Sequence, residues 1–116
     1  MKQPVQRWLA DHASPPGTLA CGLRQPDGAL VCHSREDLCP IEKMEAILRQ
    51  FESLRAVSVA ESFAPRWWTW TFEHGQIRFV ARSDGWILGV VIHPESEAAS
   101  QLDPLSNEFL SLELGN

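Results

Sequence analysis

Cys32, His33 and Cys39 fall within one short stretch, and all three are side-chain types that ligate zinc. A structural zinc site needs four such ligands, usually in close pairs two to four residues apart. Here a fourth ligand at a sensible spacing is missing, so the reading is no metal. Cys21 is the third cysteine, and no two of the three have the spacing of a zinc knuckle or redox motif. Cys21 itself sits in an apolar run and reads as a small buried hydrophobe.

Other reactive types are equally scattered. Ser34 with Asp37 forms a capping pattern ahead of a helical stretch, not a nucleophile with its base. His12, His33, His74 and His93 fall at a helix end, a strand end, a turn and a strand exit, and do not converge. Asp27-Gly28 and Asp84-Gly85 are turn chemistry. The glycines are dispersed, so there is no phosphate-cradling loop. Glu36, Asp37, Glu42 and Glu45 make a negative surface that is either simply solvated or suited to a basic partner. No catalytic constellation results, and the expectation is a non-enzyme without cofactor.

What remains are the aromatics. Trp67, Trp68 and Trp70 with Phe72 lie in one extended segment, alternating with Thr69 and Thr71. If that strand is an edge, its aromatic residues are a hazard unless another chain pairs with it. Trp is enriched at interfaces, where it often anchors binding. The alternative is that Trp68, Trp70 and Phe72 cover the core while Trp67 stays half exposed. Trp67 is the residue most readily assigned to an interface.

The elements that position these residues are marked by turns. Val5 to His12 reads as a short helix, ended by Ser14-Pro15-Pro16-Gly17. Thr18–Arg24 and Ala29–His33 form a hairpin around Pro26-Asp27-Gly28. From Pro40, the residues Ile41, Met44, Ile47, Leu48, Phe51 and Leu54 recur at steps of three and four, an amphipathic helix of about four turns. The period is lost after Arg55, where a connector is expected.

Three strands follow, Arg66–Phe72, Gln76–Arg82 and Trp86–Ile92, joined by turns at Glu73-His74-Gly75 and Ser83-Asp84-Gly85. In the middle one Ile77, Phe79 and Ala81 share a face, while Gln76, Arg78 and Arg82 leave the other mostly polar. Trp86–Ile92 is apolar on both faces, as is Leu19–Leu23, and such strands belong at the centre of a sheet. The expected sheet is fully antiparallel, with order 2-1-5-4-3. In the last segment, Asp103 is expected to cap and Pro104 to start a final helix that turns Leu105, Phe109 and Leu112 inward.

With 116 residues, 44% of them hydrophobic and 22% charged, the chain reads as one soluble α+β domain spanning residues 1–116. A net charge of -5 argues against nucleic-acid binding, which needs a basic surface. No apolar run approaches the ~18 residues of a membrane span, and the first residues lack a signal-peptide core, so a cytoplasmic protein is expected.

The order helix, two strands, helix, three strands, helix resembles that of the roadblock family, the dynein light-chain type, widespread in bacteria. Gly17–Val31 (GTLACGLRQPDGALV) is similar to its first hairpin, and Gly75–Glu95 (GQIRFVARSDGWILGVVIHPE) to its last. The tryptophan-rich third strand and the short first helix depart from that pattern and mark a divergent member. The resemblance implies a profilin-like layout and a non-catalytic scaffold. It implies dimers formed by pairing third strands, with the long helices side by side, which would make Trp67, Trp68, Thr69, Trp70, Met44, Leu48 and Phe51 the interface. It also implies a Ras-like small GTPase as partner. Two other readings fit the composition: a chaperone-like module for secreted effectors, or a small-ligand sensor.

Overall fold

The computed structural model describes residues 7–9, 17–34, 39–60, 67–71, 75–82, 84–93 and 98–112. The readings placed on Ser14-Pro15-Pro16, on Glu36 and Asp37, on Phe72, Glu73 and His74, and on both ends of the Val5–His12 helix lie outside these residues. Strands β1 (Thr18–Arg24) and β2 (Leu30–Ser34) form the first hairpin. Helix α1 (Ile41–Ala60) follows, then β3 (Trp67–Thr71), β4 (Gln76–Ala81), β5 (Ile87–Ile92) and helix α2 (Ala98–Ser111). The five strands make one sheet in the order β2-β1-β5-β4-β3, and every neighbouring pair is antiparallel. This is the expected α+β layout and order.

The order follows from hydropathy. Each residue of β5 is buried, as are all of β1 but its last, so both strands must be covered on two faces. On one face, α1 lays Met44, Leu48 and Phe51 over Leu19, Ile77, Phe79, Ile87 and Val91. On the other, a helical turn at residues 7–9 and α2 cover Leu23, Val80, Leu88, Val90 and Ile92 with Trp8, Leu9, Leu102, Leu105 and Phe109. The Trp8 indole N–H donates to Glu108 at 3.1 Å, tying the helical turn to α2. Arg24 on β1 pairs with Glu52 on α1.

The turns are built as their residues dictate. Gly28 (φ 95°) and Gly85 (φ 99°) occupy the left-handed region that favours glycine. Asp27 Oδ1 accepts the Ala29 N–H at 2.9 Å, and the Gly28 N–H donates to the Gln25 carbonyl. A Cβ at Gly85 would lie 3.1 Å from the Pro26 ring, so the two turns pack together at one end of the sheet.

Two expectations are corrected. Helix α1 does not stop at Arg55 but continues to Ala60. Backbone hydrogen bonds propagate without an amphipathic period, and residues such as Val and Ser cost well under 1 kcal/mol each in a helix. Pro104 does not open a helix but lies inside α2. A proline there removes one helical donor, and burial of Leu102, Leu105 and Phe109 on the same helix offsets the loss. The mostly polar face of β4 is an interior one. Helix α2 covers it, and Arg78 is buried.

Candidate functional site

Strand β3 ends the sheet, and among the described residues no other strand pairs with its outer side. Its inner side is held in register by β4, with Trp68 opposite Phe79, Thr69 opposite Arg78 and Trp70 opposite Ile77. The strand's period of two divides its side chains between the faces of the sheet. Trp68 and Trp70 turn toward α1. Phe51 stacks on Phe79 with ring centroids 4.1 Å apart, and Trp68 and Trp70 meet Phe51 edge-on at 5.0 and 6.3 Å. Trp70 also meets Phe79 at 5.1 Å. Such tilted contacts suit the ring quadrupole. Both indoles thus cover the core while staying half-buried.

Trp67 and Thr69 face the α2 side. The Arg78 guanidinium lies 5.0 Å from the Trp67 ring centroid, and Arg78 Nε donates to Thr69 Oγ1 at 2.7 Å. Thr69 and Thr71 are exposed and Trp67 is half-buried. The edge therefore presents three partly accessible tryptophans and two exposed threonines on a strand that has no neighbouring strand on its outer side among the described residues.

Met44, Leu48 and Phe51 are a correction. Each is at most 1% exposed inside the single chain, so none has surface left for a second molecule. They anchor α1 to the sheet, and any contribution to association passes through the helix they hold. The outward face of α1 instead carries Ile41, Glu42, Lys43, Ala46, Arg49 and Gln50.

The reactive side chains take structural places. Ser34 Oγ donates to the Cys39 carbonyl at 2.6 Å, closing the approach to α1. Cys21 and Cys39 are buried and Cys32 is partly so. Burial, helped by the nearby Glu45 carboxylate, pushes the Cys32 thiol from 9.0 up to about 12. Burial likewise raises Cys39, against a small opposing pull from Lys43. Thiols so raised are protonated and poorly nucleophilic at neutral pH. His33 on β2 and His93 just after β5 are exposed, and His12 and His74 lie outside the described residues. No three His, Cys, Asp or Glu side chains converge to hold a metal among the described residues.

Two arginines that the sequence places on the polar face of the fourth strand were given no role there. Arg78 Nη1 donates to Asp103 Oδ1 at 2.9 Å and to Ser106 Oγ at 3.1 Å, both on α2. Arg82 donates to the Phe109 carbonyl at 2.7 Å near the end of α2 and pairs with Asp84 at 2.7 Å. The available signal was their spacing: residues four apart in a strand share a face, and here that face meets a helix.

No protein-family model matches this sequence, and no curated protein matches it. Among solved structures, the chain is similar to the crystal structure of a Roadblock/LC7 domain from Streptomyces avermitilis. The two are 19% identical, with a TM-score of 0.57, over 80% of this chain and 82% of the other. The chain therefore has the Roadblock/LC7 fold in a divergent sequence. Among the described residues no helix is long and apolar enough to cross a membrane.

Proposed function

We propose that this chain is a non-catalytic interaction domain that self-associates through the outer edge of β3, with α1 alongside, in the cytoplasm. One observation carries the reading: a tryptophan-rich strand ends the sheet with no further strand on its outer side among the described residues. Natural sheets blunt such edges with charge, proline or a covering element, and Trp67–Thr71 contains neither charge nor proline. A second copy satisfies the edge by continuing the sheet across a twofold axis, which gives an isologous interface. The likeness to a Roadblock/LC7 domain supports the same reading at the level of fold.

The finer step, in which a Ras-like small GTPase engages the composite surface, rests on family resemblance, and a fold does not fix its function. The test of the central reading is absolute mass by size-exclusion chromatography with light scattering across a wide dilution range. A dimer that dissociates only at low concentration supports the paired edge. A monomer at all concentrations removes it. The GTPase step is tested by co-purification with nucleotide-loaded and nucleotide-free GTPase: recovery of either form supports it, and recovery of neither rejects it.

A further inference from the structure

Among the described residues, Arg78 is the one buried charge that touches both the candidate edge and the helix behind it. Its side chain is 10% exposed. Nε reaches Thr69 on β3, Nη1 reaches Asp103 and Ser106 on α2, and the guanidinium plane lies beside Trp67. The Ser106 hydroxyl donates to the Leu102 carbonyl at 2.6 Å, which leaves its lone pair for the arginine. The Ser106 acceptor is thus oriented by α2 itself. Arginine suits this place because its donors form a rigid planar fork and it stays charged when buried. Lysine, a single ammonium, cannot span two elements in the same way.

A buried charge is costly unless its donors are met. The arrangement on β3 and that on α2 are therefore not independent: loss of either set leaves the same guanidinium short of acceptors. Thr69 and Asp103 accept from two nitrogens of one guanidinium, Nε and Nη1, and so are linked through Arg78. Asp103, by contrast, is 69% exposed, so it can be altered without opening the core.

We propose that Arg78 is a positioning residue that ties the order of the edge strand β3 to the docking of α2. In consequence, the state of an exposed carboxylate on a helix is read out at the sheet edge. This coupling concerns how the edge is held and not what occupies it, so it does not depend on self-association.

The experiment uses the intact chain and hydrogen–deuterium exchange, at a concentration where wild type and variants have the same mass in solution. Asp103→Asn is expected to speed exchange in peptides covering 67–71 by roughly tenfold, with peptides covering 87–92 unchanged. Arg78→Lys is expected to loosen the same segment, because charge alone does not restore the fork. Equal acceleration in both segments, or none in 67–71, overturns the proposal. As a second arm, Thr69→Val and Asp103→Asn are combined in a double-mutant cycle of chemical unfolding. Coupling through Arg78 makes their effects on the unfolding equilibrium constant non-additive by a factor of roughly three or more. Additive effects reject the coupling.

Discussion

Gly22 and Gly89 face each other across the β1–β5 pair, directly under α1. A Cβ at Gly22 would lie 2.8 Å from Leu48 Cδ1 and 2.9 Å from Cys32 Sγ, and one at Gly89 would lie 2.8 Å from Met44 Cε. The missing side chains make a shallow trough at the middle of the sheet. Into it the helix presses Met44 and Leu48, which fixes the depth of α1 and the face it turns outward.

Filling that trough should destabilise the domain. Gly22→Ala and Gly89→Ala are each expected to cost about 1–3 kcal/mol by overpacking. Gly22→Ala is expected to be the worse, because its Cβ meets two atoms under 3.0 Å where that of Gly89 meets one. Chemical denaturation checks both, and unchanged midpoints would place α1 farther from the sheet.

Phe51→Ala separates core from interface. Phe51 is fully buried and stacks on Phe79, so truncation should cost about 3–5 kcal/mol of folding stability. A variant with wild-type stability but weakened self-association would contradict this placement.

The open edge can be blocked from outside. Thr71→Lys adds a charge of the kind that protects natural edges, whereas Thr69→Pro removes a backbone donor from β3 and also the hydroxyl that Arg78 holds, so it loosens the strand as well. Both are expected to shift the mass seen by light scattering toward the monomer at concentrations where wild type associates. Circular dichroism establishes that each variant is folded, and a wild-type mass in both would clear this edge of the role.

Cys32 sets a pH dependence at the alkaline end. Its thiol ionises near 9.0 when unfolded and near 12 when folded. Between these values the unfolded chain holds fewer protons than the native one, so stability falls as pH rises. The contribution is fully present below about pH 9. Urea titrations from pH 8 upward should show the decline, with a shallower slope in Cys32→Ala. Equal slopes would indicate an accessible thiol.

Pro104→Ala should stabilise α2. Pro104 is exposed within the helix, and alanine restores the missing donor and removes the ring clash. The gain is expected to be about 1–2 kcal/mol, less than the full helical penalty because proline also restricts the unfolded chain. Thermal unfolding reads the sign.

Much of the architecture was legible along the chain. Pro26-Asp27-Gly28 and Asp84-Gly85 announce turns because glycine alone enters their positive φ without strain. The apolar character of both faces in β1 and β5 determines that they lie inside the sheet, since one face of water would expose half of each strand. The alternation in Trp67–Thr71 likewise determines which side chains share a face. All of these are local periods, and a period is a property of neighbouring residues.

Only the tertiary structure decided what covers each face. The spacing of Arg78 and Arg82 marks a polar side to β4, yet the groups that make this side an interior come from α2, 25 residues or more away in sequence. Met44, Leu48 and Phe51 show the same limit. Their spacing defines an apolar stripe, but a stripe can meet either the sheet or a second chain, and the Gly22–Gly89 trough gives it to the sheet. Hydropathy measures the gain from leaving water and does not name the surface that replaces it.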